Sequence, residues 1–272
     1  MINPHFSDFI AGAGEIYNRC GYDMLISVVN AGAEKPVYEA LRRNRRVDGV
    51  IVHGPRVEDE RIDLLRKLKL PFVVHGRTND PEDSYSWVDV NNRRAFHTAA
   101  KHLLEAGHRR IALINGWEYM TFAAKRRDGL EKAMREYGAE PDPEIMISSE
   151  MIEPVGHDAM KRFLNLDNPP TAVLCSSVLN AMGAMRAIHE HGSRPGRDVS
   201  LIAYDDCLSF LPTTGERPAI TALRSSIRLA GMHCAEMLID LIEKKTGPRN
   251  LLLEAEFVVG ASTGPVPQTA TA

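Results

Sequence analysis

The sequence predicts an α/β fold of two doubly wound, parallel-sheet lobes, and three observations predict it. Hydrophobic spacing switches repeatedly between helical period and short apolar runs along the 272 residues. The apolar runs are nearly continuous, as in VDGVIV at 47–52, which is the pattern of parallel strands covered on both faces. The alternating units are too numerous for one compact sheet, so the chain reads as two lobes with right-handed βαβ connections.

Each element follows from its local pattern. Phe6, Phe9, Ile10, Ala13, Ile16, Tyr17 and Cys20 recur at helical spacing, and Gly21 stops the run. A strand over 24–29 and a polar helix over 34–45 come next, then the strand at 47–52. A short helix at 62–68 leads to a strand at 71–75, a polar loop at 77–86 and a strand at 87–90. A helix beginning at Asn92 ends at Gly107, since glycine accepts the left-handed conformation that closes a helix. His108, Arg109 and Arg110 then face the negative end of the helix dipole.

The alternation continues with a strand at 110–114, a helix at 122–137, a strand at 145–147 and a helix at 156–166. Strands at 171–175 and 199–204 flank a helix at 179–189. A long helix at 227–245 stops at Gly247 and Pro248, before a last strand at 251–259 and a tail expected to fray from Pro265.

Composition excludes several classes. A net charge of -3 leaves no electrostatic footprint for nucleic acid on this stretch. The basic run at 42–46 falls at a helix end, where a solvated, dipole-compensating face explains it. Cys20, Cys175, Cys207 and Cys234 are far apart and form no C-x-x-C pair, so neither a disulfide framework nor a zinc site is expected, and a reducing compartment fits. No signal peptide or long apolar span is seen, which makes the cytoplasm the expectation. His189 and His191 frame Glu190 at a helix terminus without further ligands, so no metal is expected. There is no phosphate loop, G-x-S-x-G elbow or H-E-x-x-H, and neither a cofactor nor an enzyme is expected. The apolar strand ending in Asp205 and Asp206 places two carboxylates where open α/β sheets bind ligands, which points to a receptor for a small polar molecule.

The order and spacing of several segments resemble the effector-binding core of the LacI/GalR family of bacterial transcriptional regulators. They are INPHFSDF, RVDGVIVHGP, LPFVVHGR, VDVNN, HLLEAGHRRIALI, KRRDGL, NPPTAVLCSS, SLIAYDD and RPAITAL, and together they span nearly the whole chain. The resemblance implies a periplasmic-binding-protein-like fold (type I) with a ligand cleft between two lobes joined by three crossovers. One lobe would take residues 1–90 plus about 225–250, the other 91–224 plus about 251–264, with 265–272 a flexible tail. It also implies a homodimer that reaches operator DNA through an N-terminal helix-turn-helix of about sixty residues, absent from this chain. Met1 falls where the family's first core strand ends, so most of that strand is expected to be missing too.

The resemblance also implies site residues. Arg126, three residues before Gly129, matches the family's hydroxyl-clamping arginine, and Asp205 matches its strand-end carboxylate. His5, Phe6 and His53 occupy positions that line the family's ligand site. Ser177-Val178 replaces an Asn-Asp common in the family, Gly76 stands where many members have aspartate, and Ile227 where some have an aromatic. Trp117, Tyr119 and Phe122 could supply a stacking surface for a sugar ring. Plainer readings stand beside these: a loop-capping Asp205, a surface Arg126, satisfied cleft histidines at His5 and His53, a hydroxyl of no ligand role at Ser177, and ordinary loop or core aromatics at Trp117 and Phe122.

The function so implied is the effector-binding and dimerisation part of a sugar-responsive regulator, a repressor whose DNA binding changes when a mono- or disaccharide rearranges the lobes. The alternative is a periplasmic sugar-binding protein serving an importer, which shares the fold. The GHRRIALI and AYDD segments favour the regulator.

Overall fold

A computed structural model describes residues 4–29, 32–78, 85–204 and 218–267. The chain divides into two compact units, Met1–Val90 with Ser226–Leu253, and Asn91–Ser225 with Glu254–Ala272. Elements are numbered along the whole chain.

The first unit holds α1 (Pro4–Cys20), α2 (Glu34–Arg43), β1 (Val50–His53), α3 (Glu60–Leu68), β2 (Phe72–His75), β3 (Ser86–Val90), α8 (Ile227–Ile242) and β9 (Asn250–Leu253). Its sheet runs β1-β2-β3-β9, all parallel. Alternate residues of each strand serve opposite faces. Val73 and Val88 bury against Phe9, Ala13 and Ile16 of α1 and Cys234 and Leu238 of α8. Val52, Val74 and Trp87 bury against Ile62 and Leu65 of α3. Helices α1 and α8 approach to backbone contact: a Cβ on Gly231 would lie 2.2 Å from the Phe9 carbonyl oxygen.

The strand expected over 24–29 does not form. Residues 22–29 have no regular structure, and Leu25, Ile26 and Val28 are 48%, 46% and 87% exposed. A groove of about 790 Å³ has this segment on one wall and the edge of β1, Val50 to His53, on the other. A strand pattern supplies a face to bury, but the ladder needs a neighbour within hydrogen-bonding distance. Here none of the sheet's strands pairs with the segment.

The second unit holds α4 (Asn92–Glu105), β4 (Ile111–Asn115), α5 (Thr121–Glu136), a 3-10 turn (Pro143–Ile145), β5 (Met146–Ser148) and α6 (Glu153–Leu164). It continues with β6 (Ala172–Cys175), α7 (Val178–Glu190), β7 (Ser200–Tyr204), β8 (Thr221–Arg224) and β10 (Glu256–Val258). The sheet order is β10-β8-β7-β6-β4-β5, parallel except for β10 against β8. Ile111 and Leu113 face one core with α4 and α5, while Ala112 and Ile114 face another with α6 and α7.

Two strand expectations need correction. Thr221–Arg224 is a strand that its short length concealed. The single strand expected over 251–259 is two, β9 completing the first unit's sheet and β10 the second's. Between them Glu254 accepts a hydrogen bond from the Asn91 amide at 3.0 Å.

The GHRR segment is a structural clamp. Gly107 takes φ +96° beyond the end of α4. Arg109 donates to the carbonyls of Leu104 and His108, at 2.8 and 2.9 Å. Arg110 donates to the Asn168 carbonyl at 2.7 Å and pairs with Asp142. His108 Nε2–H donates to the Gly264 carbonyl at 3.1 Å, and its Nδ1 accepts from the Thr171 hydroxyl at 2.9 Å. The C-terminal segment is thereby tied to the exit of α4, with Val266 N–H donating to Ala106 at 3.0 Å. Residues 268–272 of the expected tail lie outside the described residues.

Candidate functional site

In each unit, polar residues gather at the carboxyl ends of parallel strands, where no further ladder bonds claim them. In the first unit, β1 and β2 end on His53 and His75, which are partners in the sheet register. Their rings meet through Nδ1 and Nδ1 at 3.0 Å. Helix α1 supplies the walls. Phe9 stacks on His75 with centroids 4.7 Å apart and meets His53 edge-on at 4.8 Å, and Phe6 meets His53 edge-on at 5.1 Å. His5, on the same first turn of α1, is buried. The structure therefore brings His5, Phe6 and His53 together.

The electrostatics favour neutral imidazoles. Burial pushes His75 down to about 4. Burial also holds His53 well below its ordinary value, reinforced by His75, Arg61 and His5. Arg61 is fixed beside the end of β1, donating to Asp59 at 2.8 Å and to the Gly54 carbonyl at 3.0 Å. Gly76, the residue after His75, has φ +105°, and a Cβ there would lie 2.5 Å from Pro55 Cδ. A side chain is thus disfavoured there twice over, by conformation and by space.

In the second unit Arg126 is the centre. It lies on α5 and is only 6% exposed. Its Nε donates to the Asn92 side-chain oxygen at 2.8 Å, and Nη1 to the Ser176 carbonyl at 2.7 Å. Three rings surround the guanidinium, with centroids at 3.7 Å for Tyr204, 4.8 Å for Phe122 and 5.3 Å for Phe96. Delocalised charge over aromatic faces is a favourable way to bury an arginine. A second network lies beside it. The Asn115 side-chain oxygen accepts from Ser176 Oγ at 2.7 Å, and its amide donates to the Ala123 carbonyl at 2.9 Å.

The other expected site residues fall in varied places. Ser177 is fully buried and caps α7: its Oγ accepts from Asn180 N–H at 3.1 Å and donates to the Asn180 side-chain oxygen at 3.0 Å. Trp117, just past the end of β4, is 42% exposed and stacked on Tyr119 at 6.2 Å. Asp205 and Asp206 lie outside the described residues, directly after Tyr204. Among the described residues no group of three or more potential ligand side chains could hold a metal ion. Among the described residues no helix is long and apolar enough to cross a membrane.

Sequence reasoning missed His75 and Phe9 in the first unit, and Asn92, Phe96, Asn115 and Tyr204 in the second. One signal was available: the two strand runs VIVH and FVVH both end on histidine. For the Arg126 cage, Phe96 falls in the helix and Tyr204 at the end of the strand that the spacing predicted, and both are core residues, but spacing does not reveal what lies over their faces.

Known proteins resemble this chain over most of its length. A family model described as a periplasmic binding protein-like domain matches residues 100–263. The HTH-type transcriptional regulator AglR of Rhizobium meliloti is 41% identical over 264 residues, covering 97% of this chain and 74% of that protein. Among solved structures, a complex of the transcriptional regulator CelR with cellobiose superposes with a TM-score of 0.83 at 27% identity, over 96% of this chain and 79% of that one. A LacI family transcriptional regulator from Enterococcus faecium with bound ribose gives 0.80 at 25% identity, over 97% and 96% of the two chains.

Proposed function

Because the chain belongs to the LacI family of helix-turn-helix transcriptional regulators, as a ligand-binding domain of periplasmic-binding-protein-like fold, we propose that it is the effector-binding and dimerisation core of a cytoplasmic, sugar-responsive repressor. The observation that carries this reading is the caged Arg126. A guanidinium held by Asn92, Ser176 and three rings is pre-aimed, so little freedom is lost when it grips a hydroxyl. Sugars present donor and acceptor hydroxyls on a partly apolar ring, and planar polar groups beside aromatic walls suit both aspects. Asp205 accepts from hydroxyls at the neighbouring strand end. Phe122 and the exposed face of Trp117 offer apolar surface, and in the first unit His5, Phe6 and His53 offer ligand contacts. Ser177 contributes through the turn it caps.

The effector is a mono- or disaccharide. It acts by binding one arrangement of the two units more tightly than another, since equal affinity for both would shift nothing. That shift alters how the homodimer presents its helix-turn-helix modules to operator DNA. No turnover of the sugar and no cofactor are involved.

Calorimetry with a panel of pentoses, hexoses and disaccharides, including ribose and cellobiose, tests the reading. The sugar that binds wild type should bind Asp205→Asn and Arg126→Lys at least about tenfold more weakly, the loss expected when a charged hydrogen-bonding partner is removed. Full affinity in both variants would overturn the site, and consumption of the sugar would overturn the regulator.

A further inference from the structure

The histidine pair at the ends of β1 and β2 has a chemical property that neither residue has alone. Their contact is Nδ1 to Nδ1 at 3.0 Å. A neutral imidazole carries one N–H, so a hydrogen bond between two Nδ1 atoms requires one ring to bear its proton there and the other to have Nδ1 bare. The first ring then has a bare Nε2, an acceptor. The second must carry its proton on Nε2, a donor. The pair therefore always offers one donor and one acceptor on its outer side, whichever ring holds the shared proton.

Packing preserves this arrangement. The rings are in register across two parallel strands, so the backbone ladder sets their separation. Phe9 and Phe6 of α1 brace them from the side, and the nearest charged group of α3 is Arg61, which disfavours an imidazolium. His5 on α1 also acts on His53. Both residues are partly exposed, and no described residue hydrogen-bonds to either Nε2.

We propose that His53 and His75 act as a single donor–acceptor reader of two hydroxyls on a neutral sugar, and that His75 is a specificity-determining residue. The inference rests on the effector reading above. The two Nε2 atoms lie beyond ring centres that are 4.8 Å apart. Because the two Nδ1 atoms face each other, the Nε2 atoms lie farther apart than the ring centres, so two hydroxyls at separate positions of a sugar, each with a hydrogen bond of about 2.8 Å, suit them. One hydroxyl donates to the bare nitrogen and the other accepts from the N–H. An isolated hydroxyl satisfies only half of the pair, and an anionic or cationic group finds no complementary charge on it.

The test has two parts. In protein labelled with ¹⁵N-histidine, ring nitrogen shifts near neutral pH, assigned with His53→Asn and His75→Asn, should show one ring protonated at Nδ1 and the other at Nε2. Two Nε2–H rings would overturn the pair. Thermal shift and calorimetry are then run with the sugar panel, with 2-deoxyribose set against ribose, and with adenine. His75→Phe keeps the ring on Phe9 but removes both nitrogens. It should weaken the bound sugar about tenfold and erase the preference for that sugar over its deoxy analogue, while His75→Gln, which can donate and accept, restores part of the preference. Unchanged affinity and preference in His75→Phe would overturn the inference and leave the effector reading standing. Tighter binding of adenine than of any sugar would assign the pair to a heterocycle edge and overturn it. A wild type that binds no sugar would overturn the effector reading, and the inference with it.

Discussion

The two units are built to the same plan and finished differently. In the second, β4, β6 and β7 each have a partner on both sides, and every residue of these strands is buried. In the first, β1 pairs only with β2 among the described residues, and its other edge borders the groove. Only Val52 of its four residues is buried. Both units drew on apolar runs of similar quality. The difference teaches that an apolar run states what a segment can bury, while its neighbours decide whether it becomes a buried strand at all.

Core truncations should break that comparison most sharply. Phe163, fully buried between α6 and the second sheet, should cost about 3–5 kcal/mol as Phe163→Ala. Ile51 is only partly buried on the open strand, so Ile51→Ala should cost about 1–2 kcal/mol. Urea unfolding reads both, and equal losses would mean that the edge of β1 is as well packed as the central strands.

Acid should separate the units next. His53 and His75 have folded values below the ordinary 6.5 because burial disfavours their charged forms. The unfolded chain takes up protons that the folded pair refuses. Their share of stability is therefore whole above about pH 6.5 and drains as pH falls towards about 4. In the second unit, hydrogen bonds to Glu190 and Asp158 raise His157 above its ordinary value. Its contribution has the opposite sign, present at low pH and lost as pH rises through the raised value. His108, lowered by burial, opposes it at the other end of that unit. Hydrogen exchange from about pH 7 to about pH 5 should show protection falling in α1, β1 and β2 while α6 and α7 hold. A uniform fall across both units would contradict the assignment.

Helix caps should give the smallest effects. Ser177 caps α7 from a fully buried position, whereas Ser226 caps α8 at the surface by accepting from Leu229 N–H at 3.1 Å. Ser177→Ala should cost about 1–2 kcal/mol and Ser226→Ala about half as much, since water can replace an exposed cap. Thermal unfolding midpoints that reverse this order would show that burial does not set the value of the cap.

Much of this was legible beforehand, for reasons that particular residues make plain. Phe9, Ala13, Ile16 and Tyr17 recur at helical spacing because one face of α1 must reach the core, and that demand is written locally. Gly107 announced the end of α4 because few other residues accept its backbone angle. The strand at 24–29 misled because its pattern is equally good with or without a partner. The GHRR segment stood out in the sequence as a helix end, and only the structure shows that it also holds the C-terminal segment in place.

The candidate site follows the same division. His5, Phe6, His53 and Arg126 were found through the order of segments along the chain, which carries positional information that composition lacks. The sequence by itself determined the alternation of elements, the apolar faces and the family, because each is encoded in spacing along one strand or helix. Only the tertiary structure decided that His75 completes His53, that three rings enclose Arg126, and that one strand edge stays open. Those depend on which residues distant in sequence come within a few ångströms of each other, and hydrogen bonds, ring contacts and protonation states are set at that range.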